Sequence, residues 1–385
     1  MGAQSLHEGR HELLFDVTAV LSTSTNLGSV AEAFGVHEIS RFATSISTQE
    51  NVPLVLPLTT IDLTSLHAGA AVEHAPVEVT ADGPLAGPVV GPLPDAPAGA
   101  DKPNDSVQSS RLLGRIALLP ADQIEQFVRN NSGAVGALLV NRPQSRDVGL
   151  WWSSMSFDAR TALRGAAPEL VGNLDGIPYL TRDLANRSVL DATMSRLETT
   201  IASQLGRASG EKAKLQLAML QSISNALTGD RTLLSLDVAG QGKAAIVIGN
   251  LKDADYVTYM VPGMFFTIEG QMVYWTDAAA RLRDEQLGWL ALYGDTTSTI
   301  ATVAWIGYHT PNLTNIGSLE NAEEARDSLA SSIVALQTLR ADDEPYVTVI
   351  GHSYGSTAAL MALTEYDFDV DALALVGSAG SAAQS

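Results

Sequence analysis

The run Gly351-His352-Ser353-Tyr354-Gly355 sets a serine hydroxyl between two glycines. A G-x-S-x-G pattern is common by chance and takes its meaning from what flanks it. Here Tyr346 to Ile350 is an apolar, β-branched run of strand type, and Ser356-Thr-Ala-Ala-Leu-Met-Ala-Leu opens a helix. On such a strand-to-helix turn the serine backbone is strained and its Oγ projects over the sheet edge. Glycines two before and two after admit neighbouring backbone where a Cβ would clash. The chemistry this serves is nucleophilic attack on an acyl carbon, with Ser353 as the candidate nucleophile.

Such an attack needs donors for the developing oxyanion. The Tyr354 N–H, at the start of the following helix, is one candidate, aided by the positive end of the helix dipole. A second is expected in the loop after the third strand, Val261-Pro262-Gly263-Met264-Phe265, where the Met264 N–H is the candidate. Gly263, Phe265, His352 and Tyr308 are expected to contact substrate. Phe265, Phe266 and Trp305 suit an acyl pocket and equally suit a core.

The elements that position this turn alternate. Leu233 to Asp237, Ala244 to Ile248, Tyr256 to Val261, Thr299 to Ile306, Tyr346 to Ile350 and Ala372 to Val376 are short apolar runs without clean polar alternation, as in strands buried on both faces. Helical patterns at Tyr274 to Leu292, Leu319 to Leu339 and Ser356 to Tyr366 separate the later ones. This predicts an α/β fold, a mostly parallel central sheet flanked by helices and opened by an antiparallel hairpin.

Upstream, Ala121 to Asn130 and Ser156 to Arg164 read as short helices, the second capped by Ser156 with Phe157 and Leu163 facing a core. Two longer amphipathic helices start at Asp191 (Met194, Leu197, Ile201, Leu205) and Glu211 (Leu215, Met219, Leu220, Ile223, Leu227). Between Pro76 and Asp105 the composition turns to Pro, Gly, Ala and Asp, which marks a linker. The expected organisation is an N-terminal region over 1–75 that reads as small α+β (strand-like Leu13 to Leu21 and Val52 to Leu63, helix-like Ser29 to Phe34). A Pro/Gly-rich linker over 76–110, a helical extension over 111–230 and an α/β core over 231–385 follow.

In 385 residues, 45% hydrophobic and 17% charged composition describes a globular chain with a large core. The formal charge of −20 argues against a phosphate-binding surface and hence against nucleic acid as a partner. With no Cys, thiolate nucleophiles and Cys-ligated metal centres are excluded, and no cofactor is expected. The N-terminus shows no basic segment leading into an apolar run, and no stretch approaches the ~18 apolar residues of a membrane span. The expectation is a soluble protein, with the cytoplasm favoured and export by another route left open.

Taken together, several segments carry a resemblance. Trp151-Trp152, Val171-Gly-Asn-Leu-Asp-Gly-Ile-Pro178, Arg182-Asp-Leu-Ala-Asn-Arg187, Tyr259-Met-Val-Pro-Gly263, Ala304-Trp-Ile-Gly-Tyr308 and Gly351-His-Ser-Tyr-Gly355 occur in the order of the actinobacterial α/β-hydrolase family of unknown function called DUF1023. The likeness covers roughly Leu150 to Gly380 and implies a serine-dependent hydrolase fold without a settled substrate. Asn173 and Asp175 before Gly176 read as a side-chain-capped turn, and Asp183 with Arg187 as an i,i+4 pair. Where the family has Gly-Tyr-Asp-Ala-Pro, this chain has Gly307-Tyr308-His309-Thr310-Pro311. That puts His309 at a strand's C-terminal end, where catalytic groups gather.

In α/β-hydrolases the serine is followed in sequence by an acid and then a histidine. After Ser353 the acids are Glu365, Asp367, Asp369 and Asp371, all ahead of the strand at Ala372 to Val376, and no histidine follows. The sheet therefore reads as truncated after its sixth strand. Either the sequence is a fragment, or a second polypeptide supplies the remainder, or the hydrolase is degenerate. His309 is the less favoured substitute for the base. The resulting expectation is an esterase or lipase-like enzyme acting on a small-molecule ester or lipid-like substrate through an acyl-enzyme on Ser353. The alternative is a catalytically incomplete binding or assembly module.

Overall fold

A computed structural model describes residues 102–378, with side chains from 108 onward. The expectations for residues 1–75, and for the linker up to residue 101, lie outside the described residues. Its final part is corrected: Lys102–Ala117 is helix α1, so residues 102–110 are helical rather than linker. The prolines that argued against helix end at Pro103, inside the first turn, where a missing N–H costs nothing.

Five further short helices follow: α2 (Ala121–Asn130), α3 (Ser132–Val140), α4 (Ser145–Ser154), α5 (Phe157–Ala166) and α6 (Pro168–Asn173). They bury one core of their own around Ile116, Ile124, Phe127, Val148, Leu163 and Leu174. Ser156 caps α5 as expected, its side chain accepting from the Ala159 N–H at 3.1 Å. Leu163 is buried, but Phe157 is 77% exposed, so that expectation fails. At the first helical position the side chain leans back over the preceding turn, away from the core. Trp151 and Trp152 are buried against each other's edges and serve packing.

Helix α7 (Tyr179–Ser203) begins twelve residues before Asp191, and α8 (Ala208–Ala226) packs beside it. The early turns of α7 were hidden because Arg182, Asp183 and Asn186, polar residues, occupy its buried face. Leu205, past the end of α7, and Leu215 are exposed rather than core. Met219, Leu220 and Ile223 are buried as their spacing predicts.

The sheet has six strands among the described residues: β1 (Thr232–Asp237), β2 (Lys243–Ile248), β3 (Tyr256–Val261), β4 (Ile300–Ile306), β5 (Tyr346–His352) and β6 (Ala372–Val376). Their order is β1-β2-β4-β3-β5-β6, with β2 antiparallel to both neighbours and β4, β3, β5 and β6 mutually parallel. Helices α9 (Ile268–Leu292), α10 (Glu320–Leu339) and α11 (Tyr354–Glu365) make the crossovers. The order jumps from β3 to β4 and back to β5, so β3 and β5 are adjacent. In such sheets ligands bind at the carboxyl ends of the strands near a switch of this kind. Among the described residues no helix is long and apolar enough to cross a membrane.

Side-chain amides and one buried ionic cluster join the helical layer to the sheet. Asn173 donates to the Leu236 carbonyl at 2.9 Å and accepts from the Leu236 N–H at 2.8 Å, occupying the outer side of β1 as a neighbouring strand would. Asn186 donates to the Gly172 and Leu233 carbonyls, and Asp183 accepts from the Leu233 N–H while pairing with Arg187. These contacts satisfy backbone groups of an edge strand that would otherwise be left open. Asp175 pairs with Arg182 at 2.8 Å and Arg142 at 3.2 Å and accepts from Ser331 on α10. Burial by itself would raise the Asp175 pKa, but Arg182, Arg142 and Ser331 more than offset it and hold the carboxyl below its ordinary 3.8.

Asp175→Ala leaves the buried Arg182 guanidinium without its carboxylate and is expected to cost about 3–5 kcal/mol in urea unfolding at pH 7. The carboxylate's folded pKa is depressed, so its contribution is fully present above the unfolded value near 3.8 and disappears as pH falls through the lower folded one. The gap between wild type and variant should therefore close on acidification below that range. A gap that stays constant from pH 7 down to pH 3 would contradict this assignment.

Candidate functional site

The parallel pairing of β3 with β5 aligns Val261 with Gly351, so the loop after β3 and the turn after β5 leave the sheet side by side. Ser353 caps α11 with φ 52° and ψ −122°, in the left-handed half of backbone space that a side chain disfavours. Holding it there costs on the order of 1–3 kcal/mol. Three hydrogen bonds maintain it: the Ser353 N–H donates to the Val376 carbonyl at 2.9 Å, and the Ser353 carbonyl accepts from both the N–H and the hydroxyl of buried Ser356. The strand end at Val376, β6, thus latches Ser353 directly.

The glycines are required by contact. A Cβ on Gly355 would lie 2.4 Å from the Pro262 carbonyl oxygen, and one on Gly351 would lie 2.8 Å from the Ser356 Cα. Both neighbours are backbone and cannot swing away. Gly263 meets Ser353 itself, since a Cβ there would sit 2.7 Å from Ser353 Cβ. The loop after β3 is therefore in van der Waals contact with the serine.

Among the described residues the Met264 N–H has no hydrogen-bond partner, whereas the Phe265 N–H is taken by the Pro311 carbonyl at 3.0 Å. The Tyr354 N–H, at the first position of α11, has no intrahelical acceptor. Both expected oxyanion donors thus flank the serine with their N–H groups unspent. What lay beyond the sequence is the Tyr354 side chain. Its hydroxyl donates to the Ser318 carbonyl at 2.6 Å and accepts from the Ala322 N–H at 3.1 Å, tying the elbow to the start of α10.

Tyr308, expected to contact substrate, is packed inside the fold. It is buried, stacked on Trp305, and its hydroxyl donates to the Pro262 carbonyl at 2.7 Å, fixing the loop that carries Met264. Trp305 is likewise core, not pocket. Phe266 packs on Trp275 and lies edge-on to His352, 6.2 Å between ring centres. His352 is half-buried, and burial pushes its pKa down, which favours the neutral imidazole near pH 7. Phe265 stays 49% exposed at the rim, with φ 63°.

His309 is not brought to the serine. It leaves β4, and β3 stands between β4 and β5, so the two strand ends are separated by about 10 Å at the usual strand spacing. Its Nδ1 lies 3.0 Å from both carboxylate oxygens of Glu324, which also accept from the His309 N–H and from Lys243. Burial raises the Glu324 pKa, yet Lys243 and His309 outweigh it and leave it lowered. Sequence reasoning missed Glu324 because it stands inside an amphipathic helix pattern fifteen residues from its partner.

Among the described residues no imidazole or carboxylate is hydrogen-bonded to Ser353 Oγ. Of the acids after the serine, Glu365 pairs with Arg326 and Asp371 accepts from the Val347 N–H at the opposite end of β5. A cavity of about 60 Å³ lies beside the Asp175 cluster, lined by Arg142, Asn173, Arg182, Lys243 and Trp305, and touches none of the elbow residues.

Residues 237–385 match the alpha/beta hydrolase family. Over that segment the chain is similar to alpha/beta hydrolases of the DUF1023 type. It is also similar to two proteins of Mycobacterium tuberculosis, uncharacterized protein MT2140 of strain CDC 1551 / Oshkosh and uncharacterized protein Rv2079 of strain ATCC 25618 / H37Rv. Each is 27% identical over 264 residues, covering 61% of this chain and 39% of the relative. The chain thus spans about two-fifths of the curated relatives it matches. In the alpha/beta hydrolase core, the resemblance drawn from the scattered motifs and the sheet order of the structure agree.

Tyr308→Phe removes the hydroxyl that holds the Pro262 carbonyl and leaves that buried acceptor unpaired, an expected loss of about 1–3 kcal/mol. Thermal or urea unfolding would measure it. Stability unchanged within error would show that the Tyr308 hydrogen bond does not hold the loop.

Proposed function

We propose that this alpha/beta hydrolase cleaves esters through an acyl-enzyme on Ser353. The observation that carries the reading is the serine's own backbone, φ 52° and ψ −122°, held against Gly263 at the carboxyl edge of the sheet. A fold maintains such strain where the position of the side chain repays it. Ser353 Oγ bonds to the ester carbonyl carbon while its proton passes to a base. The carbonyl oxygen takes the negative charge opposite the Tyr354 and Met264 N–H groups. The C–O bond to the alcohol then breaks, the base returns its proton to the leaving oxygen, and water repeats the sequence on the acyl-serine to release the acid.

Among the described residues no group is placed as this base: His309 pairs with Glu324, and a strand separates its own strand end from that of the serine. In well-studied triads, oxyanion donors and binding alone retain ~10³-fold over water, so the described half of the site accounts for a weak activity at most.

A second reading has its own observation behind it. With no acid or base hydrogen-bonded to Ser353 Oγ, the same core also suits a hydrolase-like binding or assembly module. The two diverge on labelling. A fluorophosphonate probe is expected to modify Ser353 in the folded protein, and Ser353→Ala to abolish both labelling and p-nitrophenyl ester turnover. Absence of both from the folded wild type would favour the module instead.

A further inference from the structure

Ser353 and Phe265 are the two non-glycine residues with positive φ among the described residues. The strain at Ser353 aims a nucleophile. Phe265, at φ 63°, has no comparable explanation within the fold. Glycine would adopt this backbone without cost, and the Phe265 N–H bond to Pro311 needs no side chain. An aromatic ring offsets backbone strain when it is buried, but this one remains 49% exposed. It stands two residues from Gly263, which touches the nucleophile.

The loop tied to it also exposes apolar side chains. Residues 309–319 are fastened at one end to the Phe265 segment, by the Pro311 carbonyl and by the Thr310 hydroxyl donating to the Phe266 carbonyl at 2.8 Å. At the other end the Ser318 carbonyl is fastened to the elbow through Tyr354. Between and just beyond these ties, Leu313, Ile316 and Leu319 expose 77%, 37% and 43% of their surface. Exposed apolar side chains on two loops that are tied to each other and to the elbow offer a surface for an apolar ligand. Glu320 and Glu323 at the start of α10 add negative charge beside Leu319, which favours an uncharged chain over an anionic group.

We propose that Phe265, with Leu313, Ile316 and Leu319, is the wall along which an aliphatic acyl chain lies, making the substrate class esters of medium- to long-chain fatty acids. This rests on the assignment of Ser353 as nucleophile, and the experiment separates the two. The rate of Ser353 labelling by an octyl-tailed fluorophosphonate is divided by that for a methyl-tailed one, in wild type, Phe265→Gly and Phe265→Leu. The wild type is expected to favour the long tail at least tenfold, Phe265→Gly to bring the ratio within about twofold of one, and Phe265→Leu to restore most of it. Phe265→Gly should melt no lower than wild type, since it relieves the backbone. A wild-type ratio near one, or a ratio that Phe265→Gly leaves unchanged, overturns the acyl-wall proposal while Ser353 stands. No labelling of folded wild type by either probe overturns the nucleophile, and the wall with it.

Discussion

The site depends on one close contact, the packing of the Gly355 backbone onto the carbonyls of Val261 and Pro262. That approach brings the start of α11 down onto the end of β3, and with it places Ser353 against Gly263. A methyl group at either glycine would push the loop and the elbow apart by more than a hydrogen bond tolerates. The left-handed backbone of Ser353 follows from the same constraint, because the chain must turn from β5 into α11 within one residue. Its cost, of order 1–3 kcal/mol, is distributed over the bonds from Val376 and Ser356 and over the burial of α11.

Around that contact the structure builds a rigid frame from tyrosines. Tyr308 reaches from the end of β4 to the Pro262 carbonyl, and Tyr354 reaches from the elbow to the start of α10. Each hydroxyl is spent on backbone of a neighbouring segment, so the two loops that approach the serine are tied to the sheet and to each other. Burial pushes the pKa of both tyrosines up, keeping each as a neutral donor. The helical layer is tied on separately, through Asp175 with its two arginines and through the amides of Asn173 and Asn186 on β1. The chemistry and the anchoring thus occupy different ends of the sheet's surroundings and share little beyond α10.

Much of this could be read beforehand. All six strands begin and end within two residues of their apolar runs, because strands buried on both faces leave a continuous hydrophobic signature. The elbow was legible because only a few residue types tolerate its backbone. The start of α7 was not legible, since its inward face is Arg182, Asp183 and Asn186, and polar residues at core positions defeat a pattern based on hydrophobicity. Helix α9 was placed six residues late for a related reason: its true cap, Thr267, which accepts from the Gly270 N–H, precedes a glycine-containing first turn.

By itself the sequence determined the fold class and singled out the candidate nucleophile and the two N–H groups proposed beside it, because strand–turn–helix spacing and glycine placement are local and sterically exacting. It also determined that no histidine follows Ser353. Tertiary structure alone decided the rest. It tied the buried Tyr308 hydroxyl to the Pro262 carbonyl, and gave His309 to Glu324 with a whole strand between it and the serine. It also singled out Phe265 as strained and exposed. These depend on the order β4-β3-β5 and on contacts between residues far apart in the chain, which spacing along a sequence does not encode.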